Sequence, residues 1–149
     1  LRSADAACGN EKLGGSQVIL LDTHALIWWV SDIDKIPPKV QQAIRKEVKN
    51  GQLGISSISI WEICMLVKKG RLKLSMTLDS WLQKVESLPV LTFIPVDNYI
   101  VKVSVSLEAD YLKDPADRII VATALQSGLT LVTGDQKIRQ CGLIKTLWN

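Results

Sequence analysis

The sequence predicts a three-layer α/β/α sandwich built on a central, mostly parallel sheet of four to five strands. Three observations carry this expectation. Short apolar runs alternate with amphipathic segments from Gln17 onward. The runs are apolar at successive positions, as strands covered by helices on both faces must be. The intervening segments carry helix start and stop signals, such as Pro37-Pro38 before one and Gly128 after another.

In order, Val18–Leu21 reads as a buried strand ending at Asp22, and Ala25–Val30 as a short helix. Pro37-Pro38 opens a helix over Lys39–Lys49, with Val40, Ala43, Ile44 and Val48 on one face, and Asn50-Gly51 stops it. Leu53–Ser56 is a second strand. The helix that follows covers about Ile58–Lys69 and ends at Gly70, which suits a left-handed cap. Thr77–Leu88 brings Leu78, Trp81, Leu82 and Val85 together at helical spacing. Leu91–Pro95 is a third strand, and Asn98–Leu107 and Pro115–Ser127 are helices. Leu129–Thr133 is a fourth strand. A short helix from Gln136 then leads to Ile144–Leu147, the fifth strand if one is present.

Residues 1–16 are rich in Ala, Gly and Ser and lack hydrophobic periodicity, so they read as a flexible tail of processed or appended origin. That leaves 17–149 as a single domain, a size that can bury a proper core without disulfides or a structural metal. Cys8, Cys64 and Cys141 are odd in number and lack CxxC spacing, which leaves metal fingers and thioredoxin-type redox pairs without support. Cys64 lies in an apolar stretch and is expected in the core. The longest apolar run, Ala25–Val30, is far short of the roughly 20 residues a membrane helix needs. A reducing cytoplasm is the expected location. The formal charge of +3 neither announces nor excludes a nucleic-acid partner.

The chemistry gathers at the strand ends. Asp22 follows the first strand directly, and Glu62 lies about one turn into the helix after the second. Asp114 and Asp117 start the Pro115 helix, and Asp135 stands two residues beyond Thr133. In a parallel sheet these points share one edge, the edge where such folds bind ligands. Like charges at about 4 Å repel by roughly 4 kcal/mol at an effective dielectric near 20, so the cluster calls for a cation. Hard oxygen donors with few histidines select Mg²⁺ or Mn²⁺ rather than zinc. Each acid also has a blander reading. Asp114 is a good N-cap with Pro115 at N1 and Asp117 at N3, and Asp135 could cap the next helix. Glu62 could be a solvated helix residue, although Ile58, Trp61 and Met65 surround it.

These residues resemble a known family. LLDTHALIWW (Leu20–Trp29), SISIWEICMLVKKGRL (Ser57–Leu72), DPADRIIVATAL (Asp114–Leu125) and LVTGDQKI (Leu131–Ile138) look like the motifs of PIN-domain ribonucleases of the VapC type, in order and spacing, over about Val18–Leu147. The resemblance implies a metal-dependent endoribonuclease, the toxin of a toxin–antitoxin pair, acting on RNA, restrained by a cognate antitoxin and forming a homodimer. It implies that Asp22, Glu62, Asp117 and Asp135 are the catalytic, metal-holding acids, and that Asp114 is an additional acid of one branch. Thr23 and Thr133 match hydroxyl positions that hydrogen-bond the acidic cluster.

Other residues admit two readings. Arg118 can contact phosphate or pair with a neighbouring carboxylate. Lys68, with Lys69, Arg71 and Lys73, can track an RNA backbone or simply complement a helix C-terminus. Trp28, Trp29 and Trp81 can stack on bases, although core or dimer-interface packing is the commoner role for tryptophans at helical spacing. His24 beside an apolar run is more often packed than chemical, and without a second His a two-histidine, metal-free ribonuclease mechanism is excluded. The chief rival function is a non-catalytic interaction module whose acidic pocket receives a basic partner segment. A metal-dependent phosphatase with DxD after the first strand is disfavoured, because residues 22–24 read DTH.

Overall fold

A computed structural model describes residues 19–149; the expected tail, Val18 and Cys8 lie outside the described residues. Among the described residues five strands form one parallel sheet: β1 (Ile19–Leu21), β2 (Leu53–Ser56), β3 (Leu91–Ile94), β4 (Thr130–Val132) and β5 (Thr146–Leu147). Their order is β3-β2-β1-β4-β5, and every pairing is parallel. The expected fold is therefore present, and all five strands pair. The helices are α1 (Thr23–Ser31), α2 (Pro38–Asn50), α3 (Ser57–Lys68), α4 (Leu78–Glu86), α5 (Asn98–Ser106), α6 (Pro115–Ser127) and α7 (Gln136–Arg139), with a single 3₁₀ turn at Ile33–Lys35.

The two-residue period of a strand explains the three layers. In β1, Ile19 and Leu21 point into a core shared with Leu26, Val40, Ile44, Ile63, Trp81 and Val85, drawn from α1 to α4. Leu20, between them, points the opposite way, toward Leu112, Ile120, Val121, Ala124 and Ile138. β4 repeats the division, with Leu131 in the second core and Val132 in the first. A strand this short can serve two cores only if every residue is apolar, the pattern read in the sequence.

The helix ends follow the local chemistry. Pro38 begins α2, and Gly51 closes it at φ 112°, a left-handed position that only glycine adopts without strain. Trp81 is buried in the core, so its base-stacking reading falls away. Cys64 departs from expectation: it is only half-buried, because α3 turns Ile63 rather than its neighbour into the core. No helix among the described residues is long and apolar enough to cross a membrane.

The sheet order creates a switch point. From β1 the chain moves to β2 and β3 on one side, then crosses to β4 and β5 on the other. Helices diverge on either side of such a point, leaving a crevice beyond the carboxyl ends of β1 and β4.

Candidate metal centre

That crevice has a volume of about 480 Å³, and all five strand-end acids line it: Asp22, Glu62, Asp114, Asp117 and Asp135. Asp22 leaves β1 and caps α1, one carboxylate oxygen accepting from the Ala25 N–H at 2.8 Å. Asp114 caps α6, its Oδ1 accepting from Ala116 at 2.8 Å and Asp117 at 3.3 Å. Asp135 caps α7 through the Ile138 N–H at 3.1 Å. Capping and metal binding, rival readings in the sequence, are compatible here. A cap engages one oxygen, fixes the side-chain rotamer, and leaves a carboxylate its other oxygen's lone pairs. The positive ends of three helices also face the cluster and offset part of its repulsion.

Two buried hydroxyls orient the acids. Thr133 hydrogen-bonds the Asp22 carboxyl, and its oxygen accepts from the Asp135 N–H at 3.0 Å. Thr23 donates to Glu62 Oε1 at 2.5 Å and lies 2.9 Å from the buried Ser59 hydroxyl, one turn before Glu62 on α3. Removing this hydroxyl frees the Glu62 rotamer and strands Ser59. Thr23→Val is therefore expected to weaken Mn²⁺ binding about 10- to 100-fold with little change in fold, as outer hydrogen bonds to metal-holding groups typically do; isothermal titration with Mn²⁺, beside a circular dichroism spectrum, checks it.

Glu62, Asp114 and Asp117 form the tightest group, each offering a carboxylate oxygen within 4.8 Å of the others. Asp114, the additional acid of the sequence reading, thus belongs to this tightest group. Burial, above all, raises the Asp22 and Glu62 carboxyls above their ordinary range, against the hydrogen bonds from Thr133 and Thr23 that favour the charged forms. Asp117 is pushed up to about 7, first by burial and then by the charges of Asp114, Asp135, Glu62 and Asp22. Carboxyls whose charged forms are disfavoured by burial and by one another, all oxygen donors, fit a hard divalent cation that replaces the missing solvation.

The family model of the PIN domain matches residues 19–142. The chain belongs to the PIN-domain family. This PIN domain is 32% identical over 122 residues to Ribonuclease VapC22 of Mycobacterium tuberculosis, an alignment covering 81% of the chain and 89% of that protein. Its fold matches VapBC2 from Rickettsia felis bound to a promoter DNA fragment, with TM-score 0.66, 19% identity and coverage of 89% of this chain and 99% of that one. A toxin–antitoxin complex from Klebsiella pneumoniae matches with TM-score 0.58 and 25% identity, over 87% and 95% of the two chains.

Not every residue singled out in the sequence reaches the crevice of this PIN domain. Arg118 meets neither expected partner. Its Nε donates to Ser104 O at 2.8 Å, Nη1 to Ala109 O at 2.8 Å and Leu112 O at 2.7 Å, and Nη2 to Leu107 O at 2.9 Å and Val105 O at 3.4 Å. A guanidinium has five N–H donors, and all five are taken by the last turn of α5 and the segment that links it to α6. Lys68 lies exposed in the last turn of α3, away from the crevice lining, where its charge complements the helix C-terminus. His24 and Trp28 do line the crevice. Sequence reasoning missed Ser59, Gly134 and Trp148. A serine one turn before Glu62 and a glycine between Thr133 and Asp135 were legible signals; Trp148 had none, because it reaches the site only through β5 pairing with β4.

Proposed function

We propose that the protein is a divalent-metal-dependent endoribonuclease and the toxin of a type II toxin–antitoxin pair. The carrying observation is the crevice in which Glu62, Asp114 and Asp117 bring carboxylate oxygens within 4.8 Å, with Asp22 and Asp135 on the same lining. Its kinship with Ribonuclease VapC22 supports RNA as the substrate, and the Klebsiella complex supports an antitoxin as partner. Glu62, Asp114 and Asp117, with Asp22 and Asp135, would hold Mg²⁺ or Mn²⁺, which when bound would lower the pKa of a water and offset charge at the phosphate. The protein's own residues set the stage. Asp22, Asp114 and Asp135 are locked by helix caps, Glu62 by Thr23, and the buried floor excludes water from one side of the carboxylates.

A cytoplasmic location follows from that substrate. An apolar surface supports the homodimer: Trp61, exposed at 56%, borders a hollow of about 520 Å³ with Ile58, Pro95, Val96, Pro115 and Ile119.

The test is RNA cleavage with Mg²⁺ or Mn²⁺ against EDTA, for wild type and Asp22→Asn. Cleavage is expected with either ion, none with EDTA, and at least about a 100-fold loss in the variant, the order of loss when a transition-state-stabilising group is removed. Metal-independent cleavage or full activity in Asp22→Asn overturns the reading. No turnover, together with metal-independent binding of a basic peptide, favours the interaction module instead.

A further inference from the structure

The acids occupy only part of the crevice lining. Another part is aromatic: His24, Trp28 and Trp148 line the same cavity. The rings form a continuous series, His24 to Trp28 at 5.6 Å between centroids and Trp28 to Trp148 at 5.7 Å, tilted by 51° and 46°. Both tryptophans pack against the first core on one side and are half-exposed on the other. Trp148 is seated against the loop after β4, where a Cβ on Gly134 would come within 2.9 Å of its ring. Gly134 therefore lets an indole lie flat on the backbone that leads directly to Asp135. Rings packed against the core and partly exposed to a cavity of nucleotide-scale volume make a built surface rather than stray exposed apolar groups.

We propose that the Trp28–Trp148 wall is a nucleobase subsite, which stacks an unpaired base of the RNA flanking the scissile phosphate. The inference rests on the ribonuclease reading and deepens it. The acids with their cation engage the phosphate and carry no base information, whereas every base has a π-face for an indole to meet. The wall selects single-stranded RNA, since a paired base stays within its helix and cannot reach the indoles. His24, exposed at the outer end of the series, adds a polar edge beside the stacked base.

The test uses a short single-stranded RNA with one cleaved bond, and a set in which each nucleotide flanking that bond is in turn abasic. Cleavage is measured with Mn²⁺, and binding by fluorescence anisotropy in Ca²⁺, for wild type, Trp28→Ala, Trp148→Leu and Trp148→Phe. Removing one flanking base is expected to lower kcat/KM and weaken wild-type binding about 5- to 150-fold, the range of stacking on an aromatic side chain. That penalty is expected to vanish in Trp148→Leu, which keeps the apolar packing but has no π-face, and to persist in Trp148→Phe. Equal binding of intact and abasic RNA by wild type, absence of binding, or an undiminished penalty in Trp28→Ala and Trp148→Leu overturns the subsite. Base-dependent binding without cleavage instead sinks the nuclease reading and leaves the wall standing.

Discussion

Asp117→Asn is expected to raise the melting temperature of the metal-free protein at pH 8 by about 5 °C, while lowering Mn²⁺-dependent cleavage at least about 100-fold. Asp117 sits between Asp114, Asp135, Glu62 and Asp22, and its carboxyl is pushed up to about 7 from 3.8. Above that pH the folded protein holds a charge that burial and four neighbouring acids oppose. A shift of this size corresponds to about 4 kcal/mol in a dry site, but water at the open side of the crevice screens it to about 1–2 kcal/mol. At roughly 3–4 °C per kcal/mol for a domain of this size, the gain is a few degrees. The pH dependence follows. Between about pH 4 and 7 the folded chain binds more protons at this site than the unfolded chain, so stability is full below 4 and falls as pH rises through 7. The raised Asp22 and Glu62 carboxyls add in the same direction. Melting curves of the metal-free protein from pH 4 to 8 should therefore decline for wild type, decline less for Asp117→Asn, and recover in wild type on adding Mn²⁺. A flat wild-type profile, or a variant less stable than wild type at pH 8, refutes this account. A residue that costs stability and is kept for activity is the usual mark of a functional site.

Arg118→Ala is expected to act in the opposite sense, lowering the melting temperature by about 10 °C. The guanidinium spends all five N–H groups on the carbonyls of Ser104, Val105, Leu107, Ala109 and Leu112. Truncation leaves several half-buried acceptors without a donor, at a cost of about 3 kcal/mol. Arg118→Lys should recover little, since one ammonium cannot reach carbonyls spread around a planar fork. The same segment feeds Asp114 at the start of α6, so Mn²⁺ affinity should fall several-fold in both variants. A shift under about 2 °C by calorimetry, or unchanged Mn²⁺ affinity, shows the clamp to be idle.

Arg118 also marks where sequence reading stops. Next to Asp117 in DPADR, an arginine suggests phosphate or carboxylate pairing, because the sequence displays charges but not backbone carbonyls. The carbonyls of 104–112 converge on it only because α5 packs against α6 and the chain between them folds back over the helix. The acids read more clearly. Strand ends and the starts of crossover helices share one edge of a parallel sheet, so Asp22, Glu62, Asp114, Asp117 and Asp135 could be gathered from their places at those ends and starts. Their order of closeness could not, and Asp114 proved to be in the tightest group.

The overall charge divides along the same line. Setting the five crevice acids aside leaves ten acids against 18 basic residues, an acidic centre in a basic chain. The all-apolar run of Ile19, Leu20 and Leu21 and the caps at Asp114 and Asp135 are determined by the sequence itself, because each depends on neighbours within a few residues. Tertiary structure alone decided which oxygens meet, that the capping acids still line one crevice, and that Trp148 joins Trp28 beside Gly134. The physical reason is range. Periodicity and capping are local, whereas Trp148 is brought to Trp28 by the parallel pairing of β5 with β4 and β4 with β1, long-range contacts that no short motif encodes.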